Sequence, residues 1–117
     1  MDQVRIRTSK GTIMMTPENI IRVQASSEYS VIYFNNEYPL TVAKVLRWFE
    51  EKLPKNIFYR IHHSHIVNSQ FISAIHNDST LLLVTGEEFQ ISRRKRKACQ
   101  AIGEGRSAKS GVRENRA

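Results

Sequence analysis

The chain has 117 residues, 40% of them hydrophobic and 25% charged, with a formal net charge of +7 and a single cysteine. That is the size and composition of one soluble domain with one modest core. It excludes a membrane-spanning helix, since no apolar run approaches the roughly 20 residues that cross a bilayer, and a disulfide framework, since Cys99 has no second cysteine to pair with.

Met1 leads into polar and alternating residues with no apolar signal core, so the expected location is the cytoplasm. The charge is unevenly spread. Residues 1–91 hold nine basic and nine acidic side chains, and residues 92–117 hold nine and two, so the whole excess lies at the C-terminal end. A neutral body with a basic end points to a directed anionic partner: nucleic acid first, then an acidic protein or a membrane surface, with mere solubility as the plain alternative.

In chain order, VRIRT (4–8) alternates apolar and polar residues and predicts a strand, closed by the turn signal Ser9-Lys10-Gly11. IIRVQA (20–25) and SVIYF (30–34) are short β-branched and aromatic runs that read as strands, with Asn35-Asn36-Glu37 turning the chain after them. The period then changes. Val42, Val45, Leu46, Phe49 and Leu53 recur at helical offsets and predict an amphipathic helix, capped by Thr41 and ended by Pro54, with Lys44, Arg47, Glu50 and Glu51 on its polar side. FISAI (71–75), TLLLV (80–84) and EFQIS (88–92) return to strand patterns, joined by Asn77-Asp78-Ser79 and Gly86-Glu87. Residues 93–102 predict a second, basic helix. The expected fold is therefore mainly β, an antiparallel and mostly meandering arrangement with one or two short helices. Residues 1–102 form the domain, and 103–117 a basic tail too poor in large apolar residues to fold.

FYRIHHSHIVN (58–68) places three of the four histidines in four consecutive positions. Zinc wants a second short-spaced ligand pair, which is missing. In an extended strand His63 and His65 share a face while His62 points the other way, so the three converge only if the chain bends. Catalysis has no better footing. Cys99 stands in a Lys/Arg run that would lower its thiol pKa, yet it lacks a rigid base to work with. Ser64 beside histidines is sequence adjacency and not a triad, and there is no Gly-rich phosphate loop. Neither an enzyme nor a cofactor is expected. What remains is a set of hydrogen-bond donors, Arg60, His62, His63 and Ser64, at a strand end, suited to phosphate oxygens and guanine edges. An RNA-binding module stays open, although Tyr33, Phe34 and Tyr38 form no stacking signature. A domain whose basic tail engages an acidic protein stays open too.

Two motifs, in order and well separated, carry a family resemblance. Phe58, Arg60, His62, Ser64, Ile66, Val67 and Asn68 fill F-x-R-x-H-x-S-x-[IV]-V-N, and Ile91, Ser92, Arg93 and Arg94 fill x-[IV]-S-R-R. With Tyr29 upstream, residues 4–102 resemble the LytTR DNA-binding domain of bacterial response regulators of the LytR/AlgR class. The resemblance implies elongated antiparallel β-sheets that read the major groove of double-stranded DNA with loops and a helix start, for transcription regulation. It implies base contacts from Glu28, Tyr29, Ser30, His63 and Arg94, and phosphate contacts from Arg93, Lys95, Arg96 and Lys97. Arg60 either meets DNA or pairs with a carboxylate. His62, Ser64 and Asn68 are structural members of the motif, Asn68 by bonding its own backbone. Two protomers on repeated half-sites are implied as well, with no membrane partner. His63 stands where relatives often carry arginine or another polar residue, and His65 where they often carry an aromatic residue. A histidine lacks arginine's bidentate fork, and it titrates near pH 6.5, so binding is expected to strengthen below pH 7 if His63 meets DNA. The 117 residues leave no room for the receiver domain that such regulators carry, so the chain is either a stand-alone regulator or part of a longer one.

Overall fold

The computed structural model describes residues 3–100 and 102; the expected tail at 103–117 lies outside them. The described residues form ten strands in three antiparallel sheets. β1 (Val4–Thr8) pairs with β2 (Gly11–Met15). β3 (Ile20–Ser26), β4 (Tyr29–Phe34), β5 (Leu40–Val42), β6 (Phe58–His62) and β7 (His65–Asn68) form a five-stranded sheet in the order β5-β4-β3-β7-β6. β8 (Ile72–His76), β9 (Thr80–Leu83) and β10 (Glu88–Gln90) form the third. One helix, α1 (Leu46–Lys52), 3-10 turns at Pro17–Asn19 and Ser69–Phe71, and a third 3-10 turn at Arg93–Lys95 that runs into helical residues at 96–100 complete the described fold. The molecule is elongated, with extents of 47 × 27 × 22 Å. The expected mainly β class is what is found.

The five-stranded sheet is the middle layer, and this explains its continuous apolar runs: a sheet covered on both faces loses the polar half of the strand alternation. Ile20, Val23, Ile32 and Ile66 point to one side, where they pack with Ile6 and Met15 of the β1–β2 ribbon and with Leu46 and Phe49 of α1. Ile21, Ile61 and Val67 point to the other and meet Ile72, Leu81 and Leu83 of the third sheet together with Ile91, Cys99 and Ile102. A bulge between Ile20 and Arg22 puts the consecutive residues Ile21 and Arg22 on the same side of β3, Ile21 in the second core and Arg22 against Phe89 beside it. The one break in the meander is the pairing of β3 with β7. Asn68, fully buried, secures it by donating from Nδ2 to the Ile20 carbonyl at 2.9 Å.

One local expectation is corrected, and two segments that the sequence left open are resolved. Thr41 does not cap a helix: Leu40–Val42 pairs with β4, and α1 begins only at Leu46, with no side-chain cap. The extended chain wins there because the Ser30 hydroxyl donates to the Lys44 carbonyl at 2.6 Å, holding residues 43–45 against the sheet edge. Leu46, Phe49 and Leu53 of the apolar stripe are buried as their spacing requires, but Val45 is 55% exposed. Residues 11–15, which carried no strand signal of their own, form β2, with Ile13 and Met15 facing inward opposite Ile6 and Val4. FYRIHHSHIVN is a hairpin and not one extended segment. Elsewhere the turn chemistry holds: Asn77 and Asp78 have φ of 52° and 58°, and the left-handed pair is closed by the Ser79 N–H donating to the His76 carbonyl at 3.0 Å.

Candidate nucleic-acid interface

The β6–β7 turn is built by its own side chains. His62 pairs across it with His65, and the His62 Nδ1 accepts a hydrogen bond from the Ser64 backbone N–H at 3.1 Å. Residues 63 and 64 thus supply the bend that brings the imidazoles together: the His62 and His63 rings lie 4.2 Å apart, and His62 and His65 5.5 Å. They do not form a metal centre, and no group of three such ligands among the described residues is arranged to hold an ion. Arg60 clamps the turn from below. Its Nη2 donates to the His63 carbonyl at 2.8 Å, its Nε to the His62 carbonyl at 3.3 Å and its Nη1 to Glu50 of α1 at 2.9 Å.

Two main-chain hydrogen bonds draw other segments to this turn. Ala25 N–H, at the end of β3, donates to the Ser64 carbonyl at 2.9 Å, so the β3–β4 turn carrying Ser27, Glu28 and Tyr29 lies beside the histidines. Ser92 N–H donates to the Ile61 carbonyl at 2.8 Å, which sets the start of the Arg93–Lys95 turn on the other flank. Segments far apart in sequence therefore meet at one end of the sheet stack. Glu28, Tyr29, His63, Arg93, Arg94 and Lys97 are all exposed there or just beyond, Tyr29 to 49%. The ion pairs among the described residues use Arg22, Arg47 and Arg60, and none uses residues 93–97.

The model of the LytTr DNA-binding domain matches residues 10–104. The chain belongs to the LytTR family. A solved LytTr DNA-binding domain of a response regulator from Bacillus cereus is similar at 27% identity, with a TM-score of 0.70 over 87% of this chain and 96% of that one. No curated protein is similar enough in sequence to count as a relative.

Within this LytTR domain the anticipated residues divide by burial. Ser30, named among the expected base contacts, is fully buried, and its hydroxyl donates to the Lys44 carbonyl, so it braces the segment beside the β3–β4 turn. Arg60 takes the carboxylate-pairing role, with its guanidinium committed to Glu50 and two carbonyls. Lys95 and Arg96 are half-buried, and Arg96 Nε donates to the Ile91 carbonyl at 3.4 Å. Asn68 Oδ1 accepts from Gln70 N–H at 2.8 Å. Burial pushes the Cys99 thiol pKa up to about 11 and outweighs the lowering effect of its basic neighbour Lys95. Sequence reading missed Lys44. Assigned to a helix face, it stands instead in the extended segment bonded to Ser30, with its ammonium 5.3 Å from the centre of the Trp48 ring. The pairing of Ser30 with Val42 brings it near the Glu28–Tyr29 turn.

Proposed function

We propose that this LytTR domain is a transcription regulator that binds double-stranded DNA with the end of the sheet stack where the three segments meet. The observation that carries the reading is their convergence: two main-chain hydrogen bonds hold exposed, unpaired cations of residues 93–97 beside an imidazole turn and a tyrosine-bearing loop. Arg93, Lys97 and Lys44 neutralise phosphates, which fixes orientation and supplies affinity through counterion release. Lys95 and Arg96 add to that field from partly buried positions. Arg94, at the start of the C-terminal helical segment, reads a guanine edge through its fork, and His63 and the Glu28–Tyr29 loop discriminate neighbouring pairs in the same major groove. Arg60, Ser30, His62 and Ser64 shape the loops and do not read bases. Two protomers occupy repeated half-sites.

Selection of bound duplexes from a random pool, followed by sequencing, tests this directly. A short recurring motif is expected, and an unenriched pool, or equal capture of RNA, overturns it. Arg94→Ala should then cost about 1–3 kcal/mol on the selected duplex and relax preference at one base pair. Lys97→Ala should weaken selected and random duplexes alike and reduce the salt slope by about one. If both variants lose equally on the two duplexes, the division between reading and neutralising residues is wrong.

A further inference from the structure

Arg22 lies in the middle of the central strand β3 and is only 5% exposed, yet it carries a full charge. Its guanidinium donates twice to Glu87, from Nε to Oε1 at 3.3 Å and from Nη2 to Oε2 at 2.9 Å, and from Nη1 to Gln24 at 2.7 Å. It is also held between aromatic faces, 3.8 Å from the centre of the Tyr33 ring and 5.0 Å from that of Phe89. Glu87 belongs to the turn between β9 and β10, where the Thr85 hydroxyl donates to its Oε1 at 2.9 Å. One side chain of the five-stranded sheet therefore grips the hairpin whose second strand runs directly into Arg93 and Arg94. The same hairpin touches the histidine turn, since the Phe89 ring lies 4.7 Å from that of His65.

An ion pair with one partner buried is a weak source of stability, because desolvating Arg22 consumes most of the Coulombic gain. A bidentate, ring-sandwiched pair has a different use, in that it tolerates only one relative position of the two parts it joins. We propose that Arg22 is a positioning residue for DNA discrimination. The Arg22–Glu87 pair sets the β9–β10 hairpin, and through it Arg94, in register with the histidine turn. Base selectivity then depends on the pair, while charge-driven affinity for any duplex does not. This rests on the proposed reading role of Arg94.

The test uses the duplex selected by the wild-type chain from a random pool, with unselected pool duplex as the reference, at one fixed salt concentration. Glu87→Gln is the main variant, because Glu87 sits on an exposed turn and its loss leaves the cores intact. Arg22→Lys, which keeps the charge and loses the fork, is the second. Each should cut the preference for selected over unselected duplex by roughly three- to tenfold, with unselected affinity unchanged. In an Arg94→Ala background the same changes should matter by less than about twofold, since there is no longer a positioned reader to disturb. A loss that is equal on both duplexes, or undiminished when Arg94 is absent, overturns the positioning role. Unchanged preference in Arg94→Ala alone, or a pool with no enriched motif, overturns the underlying reading and this proposal with it.

Discussion

Three neighbouring imidazoles cannot all accept protons freely, and the differences in their surroundings decide which does. His65 is driven down to about 4, first by burial and then by His62, Arg22 and His63, with Glu87 pulling weakly the other way. His62 is lowered by burial and by His63, and its Nδ1 accepts from the Ser64 N–H, which favours the neutral ring. Folded His65 therefore stays neutral to about pH 4, whereas in the unfolded chain it protonates near its ordinary 6.5. Between those values the unfolded state holds the extra proton, so stability rises with pH and is lost as pH falls from 6.5 toward 4. At about 1.4 kcal/mol per pH unit the full loss at pH 4 is at most on the order of 3 kcal/mol, and solvent screening of this half-buried ring brings it to roughly 1–2 kcal/mol. Urea midpoints measured from pH 8 to pH 5 should fall accordingly, and His65→Phe should flatten the curve; equal wild-type midpoints at pH 7.5 and pH 5 would refute it. His63 is the exposed member, and DNA binding has the opposite sign. A phosphate beside an imidazole favours its protonated form, so affinity should strengthen from pH 8 to pH 6 in fluorescence anisotropy titrations, and His63→Asn should remove the trend. A flat wild-type profile would take His63 out of the interface.

Elements were legible where a periodic pattern met a single constraint, and obscure where tertiary contacts overrode it. The strands of the middle sheet were plain from IIRVQA and SVIYF because burial on both faces leaves apolar runs. The start of α1 was misread because Val42 fits both a helical stripe and an edge strand. Pairing with Ser30 and the Ser30–Lys44 bond chose the strand, information held twelve or more residues away. The β6–β7 hairpin was hidden because its turn, His63-Ser64, has no glycine or proline and is closed by His62 Nδ1. Residues 93–97 were identified by charge, but only coordinates separate exposed Arg93, Arg94 and Lys97 from half-buried Lys95 and Arg96. The C-terminal helical segment is bound to the body by Cys99 and Ile102, 4% and 2% exposed. A thiol so buried, with its pKa pushed up to about 11, should react with a thiol-specific reagent at neutral pH only when that segment opens. Labelling should be at least tenfold slower for the native chain than in denaturant. Equal rates would mean that the segment is undocked in solution, and with it the base on which Arg94 stands.

At the scale of the whole molecule, two apolar cores share one sheet. Val23 and Ile66 project into the first and Ile21 and Val67 into the second, all from β3 and β7, the pair that also closes the topology. Neither core can come apart without exposing the reverse face of the strands that define the other. The domain should therefore unfold as one unit in spite of its separate sheets. Trp48, the only tryptophan, reports from the first core, with its ring edge-on to Phe49 at 5.0 Å. Leu81, fully buried, belongs to the second. Leu81→Ala should cost about 2–5 kcal/mol, the range for emptying a close-packed leucine site. That cost should shift the urea midpoint read by Trp48 fluorescence as much as the midpoint read by far-UV circular dichroism. If instead the tryptophan transition holds its place while the dichroism midpoint moves, the cores are independent. The end proposed to face DNA would then be joined by separable parts, and the register between the histidine turn and Arg94 could not be set by the fold alone.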